Sequence, residues 1–314
     1  MRALVFELTS AAWSLGAIGV LVDSPLGEAL LEPRTIEELA ARCPSIPARR
    51  IEKLVAVAAA HGVVVSDGPR HRLADGAAQA LCGPMRPGVS GEIRSHLMQP
   101  LALALAPGAT WSHTDPMLLQ AQGDSSRFVP MMIKMHLAPQ LGDLAARLER
   151  PGAKLLDVGT GVGALAIAAC RVFPQVSVVG LDPYDVPLAM AREAVARAGL
   201  EARIELRSTP ADELRDEATY TLAWLPSFFV SGDVLPRAIA RVAASLEPGG
   251  WIVMGICGGG DPEQRAINEL IVDAWGGPAI TTADAERLMR DAGLREIRVM
   301  PGPPWSPQLL AATR

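Results

Sequence analysis

The sequence has little cysteine, few aromatic residues and no excess of positive charge. Its four cysteines, Cys43, Cys82, Cys170 and Cys257, are scattered and form no C-x-x-C pair. That spacing argues against a disulfide scaffold and for free thiols in a reducing cytoplasm. A formal net charge of −5 leaves no global basic field to recruit nucleic acid or an anionic membrane. No H-x-x-x-H or clustered His–carboxylate pattern occurs, so no metal is expected. Tandem repeats and low-complexity tracts are absent too. What is present is 314 residues, 49% hydrophobic and 20% charged, the composition of a globular chain of about two domains.

The apolar run "AAWSLGAIGVLV" near the N-terminus has the look of a signal-peptide core. Glu7 precedes it, however, and "DSPLGEAL" behind it offers no small-x-small cleavage site. The run itself is too short to span a bilayer. A buried helix of a cytoplasmic protein is the expectation.

Three segments follow from the pattern. Residues 1–90 contain "TIEELAARC", in which Thr35 and Glu38 form a capping box. In "SIPARRIEKLVAVAAAHG", Ser45 can cap, Pro47 suits a first turn and Gly62 stops the helix. "VVVSDGPRHRL" then reads as strand, turn at Asp67–Gly68, strand. Helix, helix, two-stranded wing is the order of a winged helix-turn-helix. Arg49, Arg50 and Lys53 on the second helix could meet phosphates, or form the solvated face of a domain that pairs subunits; the acidic chain favours the second. Residues 91–150 read as broken helix, a linker and pocket region, with the methionine-rich "RFVPMMIKMHLAPQLGDLAARLER". Over residues 151–314, "KLLDVG", "SVVGLD", "RIELR", "YTLAWL", "WIVMGIC", "REIRVM" and "QLLAATR" alternate with helices. This is the pattern of a Rossmann-like, doubly wound, mostly parallel α/β sheet.

The stretch "LLDVGTGVGALAIAACRVFPQVSVVGLD" carries the chemistry. Glycines after a first strand let a ligand approach backbone N–H groups at a helix N-terminus. Gly159, Gly161 and Ala164 also satisfy the dinucleotide fingerprint, with Asp182 near the position of a ribose acid. Asp157 separates the two chemistries. A carboxylate beside the turn opposes an anionic pyrophosphate, whereas the ammonium of S-adenosylmethionine (SAM) tolerates it. Asp182 would accept from ribose hydroxyls in either case.

Together, "LLDVGTGVGALAI", "VVGLDPY" and "SLEPGGWIVMG" resemble the class I SAM-dependent methyltransferases. With the winged N-terminal region, the chain is similar to the two-domain small-molecule O-methyltransferases of natural-product biosynthesis. The resemblance implies a homodimer built through the N-terminal domain. It places Asp157, Gly159, Thr160 and Gly161 at the methionine end of SAM, and Asp182 and Pro183 at the ribose and adenine side. Thr209, Pro210 and Ala211 match the adenine segment at the end of the third strand, but the family's aspartate there is missing and Asp212 comes two places later. Trp224 would flank the cofactor or be plain core.

Many family members carry a general-base histidine after the fourth strand. Here that stretch is "WLPSFFVSGD", with no histidine or acid before Asp233. His136, on the helix that the resemblance brings near the methyl group, is the candidate base, with a structural role as the alternative; His113 is second. Met132, Met135, Phe228 and Phe229 would line an apolar acceptor pocket. The expected activity is methyl transfer from SAM to a small molecule, at a hydroxyl of a secondary metabolite, with no nucleic-acid or membrane partner. The alternatives are N- or C-methylation, non-methyl SAM chemistry, and a winged-helix ligand-sensing regulator.

Overall fold

The computed structural model describes residues 1–105, 114–258, 260–302 and 307–314. These fall into two compact units: residues 1–104 with 120–128, and residues 105–119 with 129–314.

The first unit begins with helices α1 (Arg2–Asp23), α2 (Pro25–Ala29), α3 (Ile36–Arg42) and α4 (Ala48–Ala60). An antiparallel pair follows, β1 (Val64–Asp67) and β2 (Arg70–Leu73), with Val64 opposite Leu73. Helices α5 (Asp75–Cys82) and α6 (Arg86–Leu105) complete the run. Thr35 and Glu38 cap α3 reciprocally, each side chain accepting from the other's backbone N–H. Helix α4 is not capped by Ser45; it starts later, behind Pro47, with no side-chain cap. Its Ile51, Val55 and Ala58 recur on one face and are buried with Leu21, Leu26, Leu39, Val64 and Leu73. Arg49, Arg50 and Lys53 lie on the opposite, exposed side, and Lys53 pairs with Glu52.

Helix α1 departs from expectation. It starts at Arg2 and runs 22 residues, but only Ala17, Leu21 and Val22 are buried. Phe6 is 75% and Trp13 78% exposed. It packs through its last turns on α2 and α4, which leaves its first half without cover from this chain. By length and composition α1 is also apolar enough to cross a membrane, the only such helix among the described residues. The run looks shorter in the sequence because Arg2 and Glu7 interrupt it.

A boundary at residue 90 falls inside α6. Arg86 donates to the carbonyl of Val22 at 2.9 Å and pairs with Glu28, and Ser90 donates to Asp23 at 2.5 Å. Arg94 reaches Asp124 at 2.8 Å. These bonds hold α6, and the stretch 120–128, in the first unit.

The second unit contains the beginning of α7 (Pro116–Ser125), α8 (Val129–Met132), a π-helical turn (Ile133–Leu137) and α9 (Leu144–Leu148). Then come β3 (Lys154–Val158), α10 (Ala164–Val172), β4 (Ser177–Asp182), α11 (Asp185–Ala198), β5 (Ile204–Ser208) and β6 (Tyr220–Pro226). Helix α12 (Leu235–Ser245), β7 (Leu246–Ile256), α13 (Pro262–Trp275), α14 (Thr282–Asp291), β8 (Arg295–Met300) and β9 (Gln308–Thr313) close the chain. The sheet order is β5-β4-β3-β6-β7-β9-β8, parallel from β5 to β7, with β9 antiparallel to both of its neighbours. All seven strands expected from the sequence are in it. The chain winds outward from β3 to β5 and restarts at β6 on the other side of β3. The reversal leaves a crevice at the carboxyl ends of β3 and β6, where ligands bind in sheets of this kind.

Strand alternation sets the two faces. Leu156, Val158, Val179, Leu181, Ala223, Leu225, Ile252 and Met254 pack in one core with Leu235, Ile239 and Val242 of α12 and Met289 of α14. Asp157 and Trp224, out of step with these, stand on the other face beside Gly180.

Candidate active site

Beyond β3 the chain turns through Gly159, Thr160, Gly161, Val162 and Gly163 into α10. The three glycines hold φ of +71°, +54° and +76°, a left-handed backbone that other residues adopt only at a cost. A methyl group on Gly159 or Gly161 would meet nothing within 4 Å, so the space over both is open. On Gly163 it would lie 3.2 Å from the Ala191 Cβ of α11. The first two glycines face open space; the third lets two helices pack.

Two acids anchor this turn. The Thr160 hydroxyl donates to Asp157 Oδ2 at 2.7 Å, and the Thr160 N–H donates to the Leu181 carbonyl at 2.9 Å. Asp182 accepts from the Gly161 N–H at 2.9 Å through Oδ2 and from the Tyr184 N–H at 3.0 Å through Oδ1. Asp157 is 1% and Asp182 6% exposed. Among the described residues neither carboxylate has an arginine, lysine or histidine partner. Burial pushes the Asp157 carboxyl up to about 7; the Thr160 bond opposes this and the charge of Asp182 adds to it. Burial also raises Asp182, against the two N–H bonds it accepts. Buried acids without a protein cation disfavour a pyrophosphate and suit a ligand that brings its own positive charge. The open space over Gly159 and Gly161, the buried acids and the spare lone pairs of Asp182 fit the ammonium and ribose of SAM.

The other expected residues gather at this edge in varying degree. Trp224 is the register partner of Asp157 and is buried. Pro183 follows Asp182 and is exposed. Ser208, the last residue of β5, pairs with Asp182, which puts the half-buried Thr209 and Ala211 just past the same edge. Asp212 is committed elsewhere, to Arg237 at 2.9 Å.

Phe228 and Phe229 lie in a short 3-10 turn directly after β6. Phe228 is buried; its ring meets the space left by Gly255, and Gly277 passes so close that a Cβ would lie 2.4 Å from the Phe228 carbonyl. Phe229 is half-buried and stacks on Trp275, centroids 4.8 Å apart. Phe228 therefore reads as packing, and Phe229 as the more open of the pair.

His136 lies outside the hydrogen bonds that hold the turn among the described residues. It sits in the π-helical turn with its side chain exposed, beside an exposed Met135; Met132 is half-buried. Two residues earlier, Lys134 donates to the carbonyl of Val172 and lies over the Phe173 ring. Val172 ends α10, whose other end is the glycine turn, about 13 Å away along nine residues. No hydrogen bond among the described residues links His136 to the turn. His113 lies outside the described residues.

The structure adds three residues that sequence reading passed over. Gly180 faces the Thr160 side chain, signalled by a glycine inside the apolar run "SVVGLD". Tyr184, 44% exposed, follows Asp182 and Pro183 and was readable from its place beside the ribose acid. Trp275 has no local signal, because its partner Phe229 is distant in sequence.

Residues 155–250 match the family pattern described as a methyltransferase domain. A ribosomal protein L11 methyltransferase of Symbiobacterium thermophilum is 28% identical over 52% of this chain and 59% of its own length. The chain thus spans little more than half of that relative. An O-methyltransferase family protein from Burkholderia thailandensis superposes with a TM-score of 0.65 at 18% identity, covering 100% of this chain and 98% of that one. Human N-acetylserotonin methyltransferase, solved with SAM, gives 0.63 at 14% identity, covering 100% and 97%. At these identities the superpositions establish the fold alone. With its glycine turn, its acid at the end of β4 and its sheet order, the chain carries a class I, SAM-dependent methyltransferase domain.

Proposed function

We propose that this protein methylates an oxygen of a small-molecule acceptor in the cytoplasm, as a homodimer. The observation that carries the cofactor half is the turn: open space over Gly159 and Gly161 between two buried carboxylates that lack a protein cation. SAM supplies an activated methyl on a sulfonium. The chain's own residues would bind and orient it, with Asp182 accepting from the ribose, and Pro183, Tyr184, Thr209 and Ala211 bordering the adenine. Methyl transfer needs little more than in-line placement of the acceptor.

The acceptor half rests on Phe229 and Trp275 at the end of β6, an apolar aromatic wall that suits a flat organic molecule. A neutral hydroxyl must lose a proton. The segment 225–232 offers no titratable side chain, and His136 is exposed, two residues from the Lys134 that bonds the last residue of α10. An acceptor whose hydroxyl is already acidic, a phenol or an enol, fits this arrangement best. Full-length likeness in fold to N-acetylserotonin methyltransferase, named for a small-molecule acceptor, supports this reading over a protein substrate, which the name of the L11 relative would suggest.

Leu4, Val5, Phe6, Leu8 and Trp13 of α1 are exposed, and a second copy of this chain is the occupant that the family resemblance supports. Two measurements test the reading. Incubation with SAM and a panel of phenols, enols, amines and a ribosomal protein fraction, read by mass spectrometry, should show a gain of one methyl on the acidic hydroxyls; methylation of protein alone overturns it. Light scattering should give twice the chain mass, and Phe6→Glu with Trp13→Glu should halve it.

A further inference from the structure

The family resemblance puts Thr160 on the ligand side of the turn, but its side chain is turned inward to Asp157. It is 6% exposed, and its hydroxyl is spent on Asp157 at 2.7 Å. It stands in a seat that β4 provides. A methyl group on Gly180 would lie 2.7 Å from Thr160 Oγ1 and 2.9 Å from both Cβ and Cγ2. Gly180 is the register partner of Asp157, so this seat is directly beside the carboxylate that Thr160 bonds. The Thr160 N–H is fixed in turn by the Leu181 carbonyl at 2.9 Å.

The groups facing Asp157 are few. From β6 comes Trp224, which does not titrate; from β4 come Gly180 and, one pleat on, Asp182, whose negative charge opposes ionisation. Among the described residues, Thr160 supplies the only side-chain hydrogen bond to this carboxylate and the main influence holding it charged.

We infer that Thr160, seated on Gly180, is a positioning residue: it holds the buried Asp157 carboxylate in the charged, oriented state that a cationic ligand on the glycine turn requires. The inference rests on reading that turn as the cofactor seat. It makes ligand affinity dependent on pH near neutrality. Above about 7, Asp157 is ionised and attracts the ammonium; as pH falls through that value it takes up a proton and the attraction is lost.

The test uses the full chain, with Thr160→Val, Thr160→Ser and Gly180→Ala. Valine keeps the shape and removes the hydroxyl; serine keeps the hydroxyl. Carboxyl carbon-13 NMR of the ligand-free proteins should show Asp157 titrating about one pH unit higher in Thr160→Val and unchanged in Thr160→Ser. Calorimetry with S-adenosylhomocysteine should show Thr160→Val about fivefold weaker at pH 7, with the deficit closing as pH rises. Gly180→Ala, which pushes Thr160 bodily, should weaken binding at every pH. An Asp157 titration in Thr160→Val that matches wild type overturns the inference. So does an equal, pH-independent loss in the valine and serine variants. Wild-type protein that binds no S-adenosylhomocysteine overturns the cofactor reading instead, and the NMR arm still decides the Thr160–Asp157 hold.

Discussion

The two halves of the crevice are built by different means. At the end of β3 the site is made of backbone: three left-handed glycines, N–H groups aimed at carboxylates, and two acids on adjacent strands. At the end of β6 it is made of packing: Phe228, Phe229 and Trp275, with Gly255 leaving room for the first ring and Gly277 passing close to its backbone. The first half depends on residues within about one strand–helix–strand unit. The second depends on α13, far along the chain. A half fixed by local geometry can serve one ligand in many proteins, while a half fixed by distant packing can change with the acceptor.

Breaking the backbone half should have the largest effect, and it separates the glycines from one another. Gly161→Val puts a side chain into open space, so S-adenosylhomocysteine affinity should fall more than a hundredfold. The left-handed φ of +54° adds a stability cost of about 1–2 kcal/mol. Gly163→Val should do the reverse, lowering the melting temperature most, because its Cβ meets Ala191 and not the ligand space. Calorimetry and thermal melts on both variants check this. Equal losses of binding in the two would show that the turn acts as one structural unit.

Asp182→Ala comes next. It removes a charge-assisted acceptor for the ribose, worth roughly 1.5–3 kcal/mol or about 10–100-fold in affinity. It also releases the Gly161 and Tyr184 N–H groups that the carboxylate now holds. Unchanged calorimetric affinity would mean that the ribose is held elsewhere.

The packing half should respond unequally at its two phenylalanines. Phe228→Ala empties a buried site that Gly255 leaves open to the ring and should cost about 3 kcal/mol of stability. Phe229→Ala leaves the core in place and should act on the acceptor, raising its KM about tenfold with the KM for SAM unchanged. Steady-state kinetics and urea unfolding distinguish the two, and a large stability loss at Phe229 would make it core as well.

The same contrast explains what the sequence made legible. Every strand of the sheet and the glycine turn could be read, because apolar runs bounded by Gly, Asp and Pro carry their own local signal. The place of Asp182 at the end of β4 was also readable, as it closes an apolar run, but its bonds to the Gly161 and Tyr184 N–H groups were not. The seat under Thr160 was not singled out, though a glycine inside a strand marks a close approach. Trp275 could not be found at all, since stacking between segments leaves no periodicity. Helix α1 was recognised as a helix but placed in the core, because an apolar run does not say whether its cover comes from its own chain. His136 shows a related limit: it is close to the turn along the sequence, but it stands exposed in the π-helical turn, and sequence distance does not say which way a side chain faces.

His136→Ala should therefore have the smallest effect of the series. A general base in contact with the acceptor contributes about 10²–10⁴-fold, and its loss would be greatest for acceptors of high pKa. An exposed histidine beside the Lys134 anchor at the end of α10 can contribute little to the turn. Turnover should stay within about threefold of wild type for every acceptor, and calorimetric affinity for S-adenosylhomocysteine should not change. The pH–rate profile then discriminates further. Without a protein base, kcat should rise with pH until the acceptor's own hydroxyl is ionised, and the midpoint should track the pKa of each phenol or enol tested. A midpoint fixed near that of an ordinary imidazole, about 6.5, and abolished in His136→Ala would restore the histidine as base. It would also show that the π-helical turn approaches the crevice in the working enzyme.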